Sequence, residues 1–158
     1  MDWKTITEDP NLRDLPFKIE TNEFGQIIMN PVKLSHSAYQ GEIGHILKEF
    51  RDDGIVLMEC AIWTQKGTKV ADVAWFSGDR WQHQKGNVEA LVAPELCVEV
   101  ASMSNTAAEM NQKRNLYFEQ GAHEFWFCDE YGNVTFYDHD GSVENSHLFP
   151  DFPTKIDI

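Results

Sequence analysis

The fold follows from one continuous stretch, Pro94-Glu-Leu-Cys-Val-Glu-Val-Ala-Ser-Met-Ser-Asn-Thr106, then Ala107-Ala-Glu-Met-Asn-Gln-Lys-Arg-Asn-Leu-Tyr-Phe-Glu-Gln-Gly121, then Ala122-His-Glu-Phe-Trp-Phe-Cys-Asp129. This stretch predicts a strand, a helix and a second strand. The first strand is apolar on both faces except at Glu99. Strands that are covered on both faces are typical of α/β sheets, so Glu99 is expected inside such a sheet.

Glu99 needs a partner, because burying a bare carboxylate is costly. The helix that follows offers one. Thr106-Ala-Ala-Glu109 fits a capping box, so the helix is expected to begin near Ala107 and to end at Gly121. Lys113 lies on the apolar face of this helix, among Met110, Leu116 and Tyr117. The residues alone leave open whether its ammonium reaches Glu99, as a structural ion pair or as part of a site, or faces solvent while its stem follows the surface.

A second interior carboxylate, Asp72, lies in the run Lys69-Val-Ala-Asp-Val-Ala-Trp-Phe76, which predicts another strand. Two carboxylates on neighbouring strands would repel each other unless a cation lies between them. Such a pair suits Mg²⁺, a hard ion that prefers oxygen ligands. A third acid, Glu42, lies at the edge of the apolar face of an earlier helix, where a solvated carboxylate is the simpler interpretation.

The other elements are predicted from periodicity and turn residues. They are a β-hairpin over residues 17–30, a helix from about residue 36 to 52 capped by Ser35 or Ser37, strands over 55–63 and 69–76, a polar loop over 77–87, a turn at 131–133 and a short edge strand over 146–149. The histidines, including His36 at the start of the first long helix, show no ligand spacing and are predicted to pack or to face solvent.

Composition favours one domain over residues 1–158, with residues 1–16 as a lead-in. No stretch is long and apolar enough to span a membrane, and the N-terminus lacks the features of a signal peptide. The three cysteines, Cys60, Cys97 and Cys128, fall in predicted strands and form no C-x-x-C pair. Buried reduced thiols and a cytoplasmic location are therefore expected.

The net charge of −13 counts against a protein that holds DNA by its overall charge, since affinity for phosphate comes from Lys and Arg. The charge is compatible with a site that collects divalent cations. One basic and aromatic cluster is expected around the polar loop, made of Lys66, Lys69, Arg80, Lys85 and Trp81. It would contact a phosphate backbone or stack on a base; the alternative is a solvated loop with tryptophans packed beneath it.

These motifs, taken in order, resemble those of the Uma-two family of restriction-endonuclease-like proteins, within the PD-(D/E)XK nuclease superfamily. The resemblance is carried by Asp72, Glu99, Ser102-Met-Ser-Asn-Thr106, Lys113 and Glu124-Phe-Trp126, and it extends over residues 17–137. It implies an α/β fold with a restriction-endonuclease-like core, in which a mixed central β-sheet is flanked by α-helices.

The resemblance also implies an activity, which is metal-dependent hydrolysis of DNA phosphodiester bonds, and homodimers are common among such nucleases. Asp72 and Glu99 match the two motif acids and, with the Val100 carbonyl, would bind Mg²⁺ or Mn²⁺. Lys113 would replace the motif lysine, because Ala101 occupies that position. Ala71 likewise replaces the proline that normally precedes the first acid. Glu42 would bind a second ion or the attacking water.

Two other functions remain open at this stage. The first is a nuclease fold that no longer cleaves and acts as an interaction module. The second is a metal-dependent hydrolase of another phosphate ester. The retention of two interior acids and a lysine argues against the first alternative, and the small number of basic residues leaves room for the second.

Overall fold

The computed structural model describes residues 1–102 and 105–158, so Met103 and Ser104 of the motif Ser102-Met-Ser-Asn-Thr106 lie outside the described residues. The helices are α1 (Trp3–Glu8), α2 (Leu34–Phe50), α3 (Gly78–Gln84) and α4 (Ala107–Glu119). The strands are β1 (Phe17–Thr21), β2 (Ile27–Pro31), β3 (Ile55–Thr64), β4 (Gly67–Phe76), β5 (Leu96–Val100), β6 (Glu124–Cys128), β7 (Val134–Asp138) and β8 (Gly141–Val143). None of the described helices is long and apolar enough to cross a membrane.

Strands β3 to β8 form one six-stranded sheet in chain order, and β1 pairs with β2 in a separate antiparallel hairpin. Every neighbouring pair in the large sheet is antiparallel except β5 and β6. Parallel neighbours need a crossover connection, which α4 supplies. The mixed sheet and its strand–helix–strand unit agree with the fold class predicted from the sequence.

The sheet is covered by helices on both faces. Helix α2 buries Tyr39, Ile43 and Leu47 against one face, where a cluster of aromatic residues gathers around Trp126. Helix α4 buries Tyr117 against the other face, beside Phe125. This double coverage explains why β5 is apolar on both faces, and it leaves Glu99 with a relative exposure of only 1%.

The two main helices differ in how they begin. Helix α4 has the predicted capping box, in which Glu109 N donates to Thr106 Oγ1 and Thr106 N donates to Glu109 Oε2. Helix α2 begins earlier than predicted, and Lys33 in its N-cap position makes no side-chain capping hydrogen bond. Ser35 and Ser37 are therefore not caps. Both lie inside the first turn because the chain enters the helix directly after β2.

Two other predictions about secondary structure are wrong. The polar segment 77–87 contains helix α3, whose N-cap Ser77 accepts a hydrogen bond from Arg80 N. Residues 146–149 do not form a strand, and the last strand is β8. The backbone N–H groups of His147 and Leu148 donate to the Glu124 carboxylate instead of to a neighbouring strand.

The pairing of β3 with β4 is interrupted at one position. Met58 pairs with Val73 and Cys60 pairs with Ala71, while Glu59 between them is skipped and has a positive φ of 54°. The register is the same on both sides of the interruption, so Glu59 lies opposite Asp72, the second interior acid.

Glu124 fixes the C-terminal segment to the sheet. Its buried carboxylate accepts hydrogen bonds from Trp126 Nε1 at 2.9 Å and from Ser146 Oγ at 2.6 Å. It also accepts from the backbone N–H of His147 at 2.7 Å and of Leu148 at 3.0 Å. One carboxylate thus accepts from two buried side-chain donors and two partly buried backbone donors.

Replacing Glu124 with Ala is expected to lower the free energy of unfolding by about 3 kcal/mol, because two buried side-chain donors and two partly buried backbone donors lose their acceptor. The matched control is Glu130→Ala, an exposed glutamate near the following turn, which should change stability by no more than about 0.5 kcal/mol. Urea denaturation followed by tryptophan fluorescence measures both. Equal midpoints for the two variants would show that the Glu124 hydrogen bonds are not needed to hold the segment.

Candidate active site

Asp72 and Glu99 lie side by side on neighbouring strands. Val73 of β4 pairs with Val98 of β5, so the next residue along each strand brings the two acids opposite each other. The backbone pairing of β4 with β5 ends at Val73 and Val98, and beyond it Val100 N donates to Asp72 Oδ2 at 2.8 Å. Both carboxylates are 1% exposed, and they therefore require cationic or hydrogen-bonding partners.

Helix α4 supplies two of the partners of Glu99. Lys113 Nζ lies 3.3 Å from Glu99 Oε1, and Tyr117 donates its hydroxyl hydrogen to the same oxygen at 2.7 Å. The sequence placed Lys113 on the apolar face of this helix, and the structure brings it to Glu99. The ammonium also lies 2.8 Å from Glu20 Oε2, on the β1–β2 hairpin.

The hairpin is attached to the first half of β4 by specific hydrogen bonds. Lys69 Nζ donates to the Thr21 carbonyl at 2.7 Å, and Thr68 N donates to Thr21 Oγ1 at 2.8 Å. Gly67 has a φ of +93°, and a Cβ there would lie 2.4 Å from the Thr21 carbonyl oxygen. The close approach of hairpin and strand therefore requires glycine at this position.

Two charged residues of β1 point into the site from the docked hairpin. Lys18 and Glu20 are two positions apart, so their side chains lie on the same face of the strand. Glu20 accepts a hydrogen bond from Val70 N at 2.7 Å, in addition to its ion pair with Lys113. Lys18 Nζ lies 3.0 Å from Asp72 Oδ1 and 3.3 Å from Glu99 Oε2.

Helix α2 contributes His36, whose Nε2 lies 3.2 Å from Asp72 Oδ2. Its other ring nitrogen, Nδ1, is buried and has no hydrogen-bond partner among residues 1–102 and 105–158. Acidic and basic side chains thus alternate through the site, in an arrangement that we call the ion-pair chain. Its members are, in order, Glu20, Lys113, Glu99, Lys18, Asp72 and His36.

Glu99, Asp72 and Lys18 of the ion-pair chain have shifted pKa values. Burial raises the pKa of Glu99 to about 7, although Lys113 and Lys18 act against the shift. Burial also acts to raise the pKa of Asp72, but Lys18 and His36 outweigh it and hold that pKa below its ordinary value. For Lys18, burial acts to lower the pKa, and the Glu99 and Asp72 carboxylates outweigh it. Lys18 is therefore an ammonium and Asp72 a carboxylate at neutral pH.

The oxygens of Asp72 and Glu99 suit a divalent cation. Asp72 Oδ1 and Glu99 Oε2 lie within 3.3 Å of one atom, Lys18 Nζ, so both oxygens face one position. Mg²⁺ is commonly held by one or two carboxylates, with water or substrate phosphates completing its coordination. Among residues 1–102 and 105–158, no three His, Cys, Asp or Glu side chains form a metal-binding group. The residues present therefore fit an ion held by two carboxylates and open to further ligands.

Sequence reasoning missed three members of the ion-pair chain. It left out Lys18 and Glu20, and it assigned His36 to packing or to the surface, although His36 contacts Asp72. One signal for the hairpin was available in the sequence: Lys18 and Glu20 alternate with Phe17 and Ile19, so the two charged side chains share one face of the predicted strand. The burial of a charged face could be recognised only once the hairpin was placed against β4.

Glu42 is exposed on α2. It follows His36 by six positions, which in a helix corresponds to about 9 Å along the axis and a rotation of about 240°. The two side chains therefore project in different directions, and His36 is the residue of α2 that contacts the interior acids.

The residues of the basic and aromatic cluster do not form one surface. Lys69 is buried and bonded to the hairpin. Arg80 donates to the carbonyls of Ala93 and Gly121. Lys66 lies just before β4, whereas Trp81 and Lys85 lie in and just after α3, which follows β4. The ten residues of β4 span about 30 Å, so this strand separates Lys66 from the other two residues.

Comparisons with known proteins agree with this architecture. A family model described as "Uma2: Putative restriction endonuclease" matches residues 13–149. The structure is similar to a crystal structure of a "putative nuclease belonging to DUF820" from Anabaena variabilis, with a TM-score of 0.71. The two chains are 17% identical, over 98% of this chain and 83% of the other, and at that identity the likeness establishes the fold. No curated protein matches this sequence.

The pairing of Glu20 with Lys113 predicts non-additive effects on stability. Lys113→Met leaves two buried carboxylates without their shared ammonium, so it is expected to lower the free energy of unfolding by about 3 kcal/mol. Adding Glu20→Gln to Lys113→Met should recover about 1 kcal/mol or more, because one unpaired charge is removed. A double-mutant cycle in urea measures this coupling, and additive effects would show that the two side chains do not interact.

Proposed function

The chain belongs to the Uma2 family, whose description is "Putative restriction endonuclease", and on this premise we propose that it is a metal-dependent endonuclease that hydrolyses DNA phosphodiester bonds. One observation of the site supports the metal dependence. Asp72 Oδ1 and Glu99 Oε2 face one position from adjacent strands, and Lys113 lies at the other oxygen of Glu99.

Asp72 and Glu99 are the proposed ligands of Mg²⁺ or Mn²⁺. The Val100 carbonyl is a third candidate, because Val100 N already donates to Asp72 at the same edge of β5. A divalent ion held there would lower the pKa of a bound water and polarise the phosphoryl group. Glu99 is hydrogen-bonded to Tyr117 and Asp72 to Val100 N, so both acids are held in fixed orientations.

Lys113 is the proposed catalytic lysine. Its ammonium is fixed between Glu20 and Glu99, so it would reach the reacting phosphate next to the metal-binding carboxylates. From that position it would orient the attacking water or stabilise negative charge on the pentavalent phosphorus. Helix α4 thus delivers the ammonium that the motif lysine, replaced here by Ala101, would otherwise provide from β5.

The proposed entry for the phosphodiester is the cleft beside His36. This cleft has a volume of about 570 Å³, and its lining includes Lys33, His36, Asn105, Asp129 and Glu130. His36 also contacts Asp72, so the cleft adjoins the carboxylates. Because the protein has a net charge of −13, attraction of DNA would depend on the bound cation and on local lysines such as Lys33.

The metal dependence predicts the behaviour of two conservative variants. Asp72→Asn and Glu99→Gln should each weaken Mn²⁺ binding by at least about tenfold in calorimetric titration and abolish the nicking of supercoiled plasmid, because each removes an anionic ligand. Glu49→Gln is the matched control, since Glu49 is an exposed acid of α2 whose ion pair is with His45. Far-ultraviolet circular dichroism is the check that all three variants are folded.

The other outcomes separate the alternative functions. If the wild-type protein binds Mn²⁺ and leaves plasmid intact, the substrate class is wrong, and a panel of other phosphate esters becomes the assay. If it binds no Mn²⁺ at millimolar concentration, the acids are structural and the interaction-module function replaces the enzyme. Including Glu42→Gln in the same assays determines whether the exposed acid of α2 contributes to cleavage.

Lys113→Gln separates catalysis from metal binding. The variant keeps both carboxylates, so it should still bind Mn²⁺, while the rate of cleavage falls by about 100-fold or more because charge stabilisation at the phosphate is lost. Single-turnover cleavage at saturating Mn²⁺ measures the rate. A rate equal to that of the wild type would remove Lys113 from the mechanism.

A further inference from the structure

The Lys18 ammonium lies between the two carboxylates that are the proposed metal ligands. Its Nζ is 3.0 Å from Asp72 Oδ1 and 3.3 Å from Glu99 Oε2, and the side chain is 12% exposed. We propose that Lys18 occupies the cation position of the metal-free protein and that a divalent ion binds by displacing the Lys18 ammonium. This inference rests on the proposed metal dependence and adds the exchange of one cation for another.

The ammonium and a metal ion exclude each other, because both would use the same pair of oxygens. Mg²⁺ binds carboxylate oxygens at about 2.0–2.1 Å, so an ion held by both acids would fill the space in front of them that Nζ now occupies. Two cations so close together in a buried site also repel each other strongly. Lys113 is in a different position, since it contacts Oε1 of Glu99 and is anchored by Glu20 at 2.8 Å.

The charges of the site also favour exchange. Apart from His36, the ion-pair chain consists of three carboxylates and two ammonium groups. When Lys18 leaves and all three acids are ionised, the three carboxylates and Lys113 carry a net charge of −2, which one divalent cation would neutralise. If Lys18 stayed, the same ion would give the buried site a net positive charge, which is unfavourable at low dielectric.

The structure provides a place for the displaced side chain. Lys18 lines a small cavity of about 20 Å³ at the ion-pair chain and also a larger one of about 340 Å³ between the hairpin and α1. Its flexible four-carbon stem allows the ammonium to move from one to the other. The larger cavity is also lined by Glu59, whose exposed carboxylate would be an alternative partner for the ammonium.

The exchange is tested by the affinity of a Lys18→Met variant for Mn²⁺, measured by calorimetric titration. This variant keeps an unbranched side chain and lacks the competing charge, so it should bind Mn²⁺ at least about tenfold more tightly than the wild type. Lys66→Met is the control, since it makes the same change in net charge at an exposed lysine before β4, and its affinity should stay within about twofold of the wild type.

The results distinguish this inference from the proposed function. If the wild type binds Mn²⁺ and Lys18→Met binds no more tightly than Lys66→Met, the exchange is refuted while metal dependence stands. If Lys18→Met binds and the wild type does not, the exchange is supported in its strongest form. If neither binds, the metal site and the exchange are both refuted.

A measurement on the wild-type protein avoids any loss of folding in the variant. The side-chain nitrogen of Lys18 can be followed by ¹⁵N NMR, with the resonance assigned by its absence from the spectrum of Lys18→Met or, if that variant is unfolded, of Lys18→Arg. Saturating Mg²⁺ should move this resonance to the position of a solvent-exposed lysine, while the resonance of Lys113 keeps its buried character. An unchanged Lys18 resonance in the presence of Mg²⁺ would refute the exchange.

Discussion

The structure depends on the burial of Glu99 at the centre of a sheet that is covered on both faces. A buried carboxylate is stable only when cations and hydrogen-bond donors surround it, and here the partners come from separate elements. Lys113 and Tyr117 approach from α4, and Lys18 approaches from the β1–β2 hairpin. The same requirement extends along the ion-pair chain to Asp72 and His36. The hairpin and both long helices must therefore be docked together before every buried charge has a partner, which links the outer elements to the central sheet.

The sequence predicted those features that local patterns determine. The strand–helix–strand unit follows from alternation, a capping box and Gly121, all within one continuous stretch. Asp72 and Glu99 were found because a single acid in an apolar strand is conspicuous, and Lys113 because an ammonium on an apolar helix face is unusual. By contrast, Lys18 precedes Asp72 by 54 positions and Glu99 by 81, so the burial of its ammonium depends on a hairpin docking that no local pattern specifies.

The errors have a common physical origin, which is that closeness along the chain was taken for closeness in space. Lys66 and Arg80 lie on opposite sides of β4 in the sequence, and an extended strand separates its ends by the largest distance that its residues allow.

Basic residues near one another in the sequence were also assumed to face solvent. Lys69 and Arg80 instead donate to backbone carbonyls, which explains why an acidic protein buries some of its few cations. The segment 146–149 was mistaken for a strand because its backbone donors are satisfied by the Glu124 side chain, a contact that spans more than 20 residues.

A buried ion-pair network is weak support for stability alone, because the desolvation of its charges offsets much of their mutual attraction. Apolar side chains of similar volume would fill the space between β4, β5 and the hairpin at a lower electrostatic cost. The particular arrangement here has a use that apolar packing lacks: each of the central acids keeps one oxygen on fixed donors and turns the other towards Lys18. Fixed donors preserve the orientation of the acids, and the side chain that carries the shared ammonium also lines an outer cavity. The metal-free protein is thus stabilised by an internal cation at the same position where the proposed chemistry requires an external one.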